Sequence, residues 1–528
     1  MEVKVLVSDP ISEQGVEILK KGGLDVTLKT KLSPEALLQE IREYDGLVIR
    51  SGTQVTSAVI DAAEKLKVIG RAGSGLDNVD LAAATKRGIA VMNTPGGNTV
   101  TTAEHTIAMI ASMARLIPQA SASVKAGKWE KGRFMGMELY NKTIGILGLG
   151  QIGSYVAKMA QGWMMNVIGY DPYLLPENAR KMGVELVQLP ELYRRSDIIS
   201  IHIPLTPETK GLIHADAIQK MKDGVRIVNC ARGGIVDEAA LYEALKSGKV
   251  AGAACDVFEN EPVDPKNPLL SLENFICTPH IGAATTEAQE NVALAVAEQI
   301  VDFLVKGIVR NAVNIPSVSA ELLPKIQPYL ALAEKLGAFQ AQRYDGALER
   351  VVIEYRGEVA ALSTAPITVA ALKGLLTPIL EEPVNYVNAP IIAKERGIEV
   401  KEVTSNDAGD FASQILLRVK VGNKEGTVAG ILYNRKEPRI VEIDSLEMEV
   451  IPEGYMLMLV NNDQPGVIGN LGTLLSDQKI NISRLQLGRE KPGGRAISVF
   501  GIDTEASQDV LAKIKRLPNI LSVRQIKL

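Results

Sequence analysis

The chain has 528 residues, of which 46% are apolar and 23% charged, with a net charge of −4. That length predicts three or four domains at about 150 residues each, and the mild acidity, with a pI near 5.9, excludes the concentrated basic surface that a nucleic-acid partner requires. No apolar run reaches the ~18 residues of a membrane span, MEVKVLVSDP opens as a strand rather than a leader, and three scattered cysteines, Cys230, Cys255 and Cys277, support neither a disulfide framework nor a zinc cluster, so a cytoplasmic location with no membrane partner is expected.

The front of the chain alternates strands at 3–8, 25–28 and 46–50 with helices at 12–20 and 33–41, and adds strands at 68–70 and 90–92. Such alternation predicts a parallel sheet with helices on its faces. A helical pattern over 101–116 then carries the chain to residues 142–171, KTIGILGLGQIGSYVAKMAQGWMMNVIGYD.

This stretch reads as strand, glycine turn, helix, strand and terminal acid, the order of a dinucleotide site. Gly148 permits the tight turn, Gly150 lets a pyrophosphate approach the backbone, and Gly153 lets helix and strand pack closely. The helix N-terminus adds unpaired N–H groups and a positive dipole end. Asp171 lies 18 residues beyond Gly153, where a carboxylate accepts hydrogen bonds from the adenosine ribose and repels a 2′-phosphate. NAD is therefore expected rather than NADP. A lone GxGxxG also fits a plain glycine turn; the flanking strands and the acid favour the cofactor.

Buried-strand runs follow at 198–203, 225–229, 251–257 and 275–278, and a second long helix over 285–305 is expected to return the chain to the front unit. Two crossing helices make a hinge, and a substrate would sit in the cleft between the units. RNAVNIPSVSAELLP, residues 310–324, reads as a boundary. Residues 325–450 carry helices at 324–343 and 364–376 and strands at 350–355, 414–421, 426–433 and 439–443, with no catalytic motif. The last stretch, 455–528, reads β-α-β-β-α-β, a ferredoxin-like order that by itself fixes no function.

Only four histidines exist, which shortens the search for a proton acceptor. His280 follows a strand and precedes a helix, where open α/β sheets place ligand-binding groups, and oxidation of an alcohol needs a base of near-neutral pKa. Glu261 on the preceding loop could orient its ring, although each alone could be structural. Arg232, beside two glycines, could grip a carboxylate bidentately or be an exposed arginine in a capping loop. His202 ends a strand and is expected to pack there rather than face a nicotinamide. His105 is expected on a helix face or in the interior, and His214 at the surface.

GLGQIG, SIHIPLTPETKGLI, NCARGGIVDE, AACDVFENEP and TPHIGAAT, in this order and spacing, resemble the D-isomer-specific 2-hydroxyacid dehydrogenases. RSGTQVT and GRAGSGLDNVD narrow the resemblance, over essentially the whole chain, to the long-form branch that oxidises phosphoglycerate. The resemblance implies an α/β chain in four parts. A Rossmann-type doubly wound cofactor domain at 98–284 is inserted in a flavodoxin-like α/β substrate domain at 1–97 and 285–315. An α+β intervening domain at 318–450 and a ferredoxin-like βαββαβ ACT domain at 452–528 follow.

It also implies roles. His280 would be the acid/base, Glu261 its orienting carboxylate, and Arg232 the group that binds the substrate carboxylate and polarises the reacting oxygen. NAD would meet Ser74, Gln151, Ile152, Asp171, Thr206, Cys230, Asp256 and the turn His280, Ile281, Gly282 and Ala283. Arg50, Arg71 and Arg133 would wall the substrate phosphate, with Asn98 nearby. In the terminal unit, NNDQPGVIGNLGTLL and INISRLQLGR resemble an amino-acid sensor whose effector, L-serine, would meet Asp463 and Asn481. Asn461 stands two before the acid, where some relatives carry an aromatic.

The implied reaction is NAD-dependent oxidation of 3-phospho-D-glycerate to 3-phosphohydroxypyruvate, the entry to L-serine synthesis, without a metal and in a homo-oligomer, dimer or tetramer. The intervening unit would bind an allosteric anion or substrate, or act as a spacer. Two rival readings are a dehydrogenase for another D-2-hydroxy acid and a non-catalytic NAD-sensing regulator on the same fold.

Overall fold

Strands Asp25–Leu28, Lys4–Val7, Gly46–Ile49, Val68–Arg71 and Ala90–Met92 lie side by side in that order, all parallel, in a computed structural model that describes residues 3–316 and 322–528. Residue 318, the expected start of the third unit, and part of the expected boundary at 310–324 fall outside the described residues. In chain order the first sheet runs 2-1-3-4-5, the flavodoxin-like arrangement. Its inner strands are largely apolar and buried because helices cover both faces. One of these helices comes from far along the chain. Helix Thr286–Lys306 buries Val292, Val296, Ala297 and Ile300 in the same core as Val5, Val7 and Val68.

The segment between forms the second sheet. Its seven parallel strands lie in the order Phe275–Cys277, Val250–Cys255, Val225–Asn229, Ile198–Ile201, Thr143–Leu147, Asn166–Tyr170 and Glu185–Leu186. Strand order reverses between Thr143–Leu147 and Ile198–Ile201, which is the doubly wound pattern, and ligands bind at the carboxyl ends of strands at such a switch point. Ile144, Ile146 and Leu147 are fully buried, each contributing about 1.5–3 kcal/mol of hydrophobic stabilisation.

The helix expected at 101–116 spans Thr99–Arg115, and a second helix, Ile117–Lys125, follows at an angle of 63°. The apolar pattern does not show this bend. Leu116 takes a left-handed φ of 51°, and Pro118 sits in the first turn of the new helix, where its missing N–H is tolerated. Among the described residues no single helix is long and apolar enough to cross a membrane.

Helices Leu323–Ala341 and Ala365–Leu376 pack on a third, mixed sheet of six strands. Three of its elements have no counterpart in the sequence reading: helix Ala389–Glu395 and strands Glu399–Ser405 and Leu446–Val450. Glu399–Ser405 is a mostly exposed edge strand, and charged EVKEVTS lacks the apolar alternation that marks a half-buried strand. The final sheet orders Ile482–Arg489, Arg495–Ile502, Tyr455–Asn462 and Ile520–Lys527, all antiparallel, with helices Val467–Asp477 and Gln508–Lys515. This is the expected ferredoxin-like unit. One face packs on its own helices through Leu457, Leu459 and Phe500. The other puts Met456, Met458, Ile497 and Val499 into the core of the third unit, against Leu332, Leu336 and Phe339.

Candidate active site

The glycine loop joins strand Thr143–Leu147 to helix Gln151–Gly162. Gly148 takes φ 88°, and a Cβ on Gly153 would lie 2.0 Å from the Gly148 carbonyl oxygen, so both are restricted to glycine by the turn and by close packing. A Cβ on Gly150 would meet nothing within 4 Å. The loop is thus tight on its protein side and open on its outer side, as a phosphate cradle must be. The Asp171 carboxylate accepts from the Leu149 N–H and the Tyr173 N–H, each at 2.9 Å, which fixes it beside that loop. The Gln151 side chain accepts from the Thr99 hydroxyl at 3.1 Å, tying the loop to the crossing helix.

A cavity of about 450 Å³ opens between the first and second sheets. Arg50, Arg71, Ser74 and Asn98 enter it from the front unit and the crossing helix, and Ser74 donates to Asn98 at 2.7 Å. Ile152, Cys230, Arg232 and Asp256 line the opposite side, with His280, Gly282 and Ala283. Arg71 Nε donates to Asn78 Oδ1 at 3.0 Å, and Arg232 Nε donates to Asp77 Oδ2 at 2.9 Å. Burial, with Arg232 and Arg50 close by, lowers the Arg71 pKa, and Asp77 and Asp9 oppose that shift. Burial pushes the Cys230 thiol up to about 12, so it stays neutral.

His280 sits at the end of the sheet with φ 54°, an uncommon conformation for a side-chain-bearing residue. Asp256 holds the turn. Its carbonyl accepts from the His280 N–H at 2.9 Å, and its carboxylate accepts from the N–H groups of Ile281 and Gly282, each at 2.8 Å. The ring is held separately: Nδ1 lies 2.6 Å from Glu261 Oε2, while Glu261 Oε1 accepts from the Phe258 N–H at 3.0 Å. The Glu261 hydrogen bond raises the His280 pKa, against the effect of burial. For Glu261, burial pulls upward and the bonds from His280 and Phe258 outweigh it, so the net shift is downward.

His105, expected simply on a helix face or inside, reaches this network. Its Nε2 lies 3.2 Å from Thr278 Oγ1 and 3.4 Å from Asp256 Oδ1, and Thr278 donates to Asp256 at 2.5 Å. Asn98, Thr102 and His105 are spaced four and three residues apart, one helix face, and that spacing was the available signal. His202 packs against Ser200 Oγ at 2.8 Å, and burial lowers its pKa so that it is neutral at pH 7.

Thr206 closes a turn with Thr209 directly after Pro204 and Leu205 of the cavity wall. Arg133 is not brought to the cavity wall: within one chain it pairs with Glu130 and Glu273 beside a different cavity. In the terminal unit, Asp463 binds Arg489 at 2.9 Å and Asn481 binds Asp503 at 2.8 Å. Asn461 is 1% exposed, with its amide committed to Ser498 and the Asn462 carbonyl. It points into the sheet rather than toward a ligand.

The NAD binding domain of the D-isomer specific 2-hydroxyacid dehydrogenases matches residues 107–282, the D-3-phosphoglycerate dehydrogenase intervening domain matches 325–444, and the ACT domain matches 455–519. The D-3-phosphoglycerate dehydrogenase of Methanocaldococcus jannaschii is 48% identical and that of Archaeoglobus fulgidus 46%, each over 100% of both chains. The chain belongs to the D-3-phosphoglycerate dehydrogenase family. Among solved structures, the NAD+-bound 3-phosphoglycerate dehydrogenase of Entamoeba histolytica is 34% identical with a TM-score of 0.51, covering 60% of this chain and 99% of that one. A glyoxylate reductase from Paecilomyes thermophila is 31% identical with a TM-score of 0.55, covering 59% and 98%. As a member of the D-3-phosphoglycerate dehydrogenase family the chain is an NAD-dependent oxidoreductase, and the open outer side of its glycine loop fits that cofactor.

Proposed function

We propose that the chain oxidises 3-phospho-D-glycerate at C2 to 3-phosphohydroxypyruvate, the first step toward L-serine. The observation that carries this reading is the meeting, in one cleft, of Arg50 and Arg71 with Arg232 and the His280–Glu261 pair. Arg232 holds the substrate carboxylate through its terminal nitrogens. Arg50 and Arg71 supply two positive charges for a doubly charged phosphate. With Nδ1–H donating to Glu261, His280 presents Nε2 as the base that takes the hydroxyl proton. Glu261 then stabilises the imidazolium. The loop from Gly148 to Gly153 and Asp171 would hold NAD, which would supply the acceptor for the hydride from C2. Initial rates of NADH formation from 3-phospho-D-glycerate, with glycerate as comparator, test this; a preference for glycerate would favour a different 2-hydroxy acid.

Regulation by L-serine rests on Asp463 and Asn481, which lie at opposite ends of the terminal sheet within one chain, so the two would meet one effector only across two copies of the chain. A homo-oligomer is supported by Trp129 and Met135, which are 84% and 83% exposed on one segment, an apolar display that a second copy would cover. Sedimentation at a single monomer mass would count against it. The unpaired state of all three cysteines accords with a cytoplasmic enzyme, which fractionation would test.

A further inference from the structure

Two neighbouring residues in the loop after strand Val68–Arg71 each hold one of the cleft arginines, and they do so in the same way. Asp77 accepts from Arg232 Nε at 2.9 Å, and Asn78 accepts from Arg71 Nε at 3.0 Å. A guanidinium offers five N–H donors in a planar fork. Occupying the Nε edge fixes the plane and leaves the terminal nitrogens to meet an anion. Among the described residues, the terminal nitrogens of Arg71 have no hydrogen-bond partner, and Arg232 uses only Nη1, on the Ala231 carbonyl at 2.7 Å. The free ends point to one place. A Cβ on Gly73 would lie 2.6 Å from Arg71 Nη1, and one on Gly75 would lie 2.1 Å from Arg232 Nη2. The two guanidinium groups therefore lie over the same short loop, one from each side of the cleft.

The support is rigid. Asn78 is buried, and its Nδ2 donates to the carbonyls of Arg50 at 2.7 Å and Thr53 at 2.6 Å. Its backbone carbonyl accepts from the Val55 N–H at 2.8 Å. Three arginines brought together repel one another, and the Asp77 carboxylate relieves this while spanning the cleft from the front unit to Arg232.

We infer that Asp77 and Asn78 are paired positioning residues: Asp77 aims Arg232 at the substrate carboxylate, and Asn78 aims Arg71 at the substituent on C3. This rests on the substrate reading above for the second half only, because any 2-hydroxy acid carries the carboxylate. Asp77 is largely exposed, so its variants should fold.

The test is steady-state kinetics of the full chain on 3-phospho-D-glycerate and on glycerate, with circular dichroism and NAD titration as controls. Asp77→Ala is expected to lower kcat/KM at least tenfold, by a similar factor on both acids, with NAD affinity unchanged. Asp77→Asn keeps an acceptor for Nε and is expected to stay within about threefold of the parent, a rescue that general loosening of the fold would not give. Asn78→Ser is expected to penalise the phosphorylated acid at least tenfold more than glycerate. Unchanged or raised kcat/KM in Asp77→Ala would overturn the inference, since Asp77 would then be idle or compete with substrate for Arg232. Equal losses in Asp77→Ala and Asp77→Asn would overturn it too. An equal loss on both acids in a folded Asn78→Ser would overturn the Asn78 half, while the Asp77 pair decides the Arg232 half by itself; if the parent prefers glycerate, the substrate reading falls while the glycerate rates still test Asp77.

Discussion

Glu261 Oε2 stands 2.6 Å from His280 Nδ1, and the same carboxylate is anchored through its other oxygen by the Phe258 N–H. The pair sets both the tautomer of the imidazole and its basicity. Because Glu261 raises the His280 pKa, its removal moves that pKa down. Glu261→Gln is therefore expected to shift the acid limb of the kcat/KM profile to lower pH. Turnover should fall roughly a hundredfold, since the imidazolium loses its counter-charge. NAD affinity should barely change. A pH profile that superimposes on the parent's would remove Glu261 from this role.

Asp171 governs the choice of cofactor. Its carboxylate is held by the N–H groups of Leu149 and Tyr173, so it cannot swing away from a 2′-phosphate. Asp171→Asn keeps the shape and removes the repulsion. The ratio of kcat/KM with NADP to that with NAD should rise at least tenfold, chiefly through weaker NAD binding and stronger NADP binding. A constant ratio would show that discrimination lies elsewhere.

The glycine loop separates folding from binding. Gly153→Ala drives a methyl group into the backbone oxygen of Gly148 at 2.0 Å, which no rotamer relieves, and overpacking of this kind costs about 1–3 kcal/mol. Both the melting temperature and NAD affinity should fall. Gly150→Ala places its methyl in open space, so the melting temperature of the free protein should hold while NAD affinity drops. Thermal melts and NAD titrations on the two variants check this contrast.

Loss of the terminal unit is a poor test of serine control here. Its sheet contributes Met456, Met458, Ile497 and Val499 to the core of the third unit, so a chain ending near residue 452 would expose that apolar face and aggregate. Asn481→Ala and Asp463→Ala disturb only surface bonds. Each is expected to raise the serine concentration for half-inhibition at least tenfold with turnover unchanged. Serine inhibition that persists unaltered in both would put the effector elsewhere.

What the sequence displayed depended on how locally each feature is encoded. The loop from Gly148 to Asp171 and the terminal βαββαβ unit are contiguous, and each strand and turn carries its own pattern. The exposed edge strand Glu399–Ser405 carries none, because its mostly charged and exposed side chains present no apolar alternation. The bend at Leu116 depends on one left-handed residue inside an apolar run. The wall of arginines was legible only through family resemblance, since Arg71 and Arg232 come from different sheets. Resemblance also implied Arg133 and Asn461, which within one chain meet Glu273 and Ser498. Asp77 holds Arg232 from 155 residues away in the chain, so no motif spacing could reveal that pairing.

Arg50 and Arg71, facing the His280–Glu261 pair, are expected to select a phosphorylated 2-hydroxy acid. The most direct measurement is the initial rate of NADH formation from 3-phospho-D-glycerate and from glycerate, in the parent and in Arg71→Ala. The parent is expected to prefer the phosphorylated acid by at least a hundredfold in kcat/KM, and Arg71→Ala to lose most of this preference while keeping its rate on glycerate. Equal rates on the two acids in the parent, or a preference that survives Arg71→Ala intact, would contradict it.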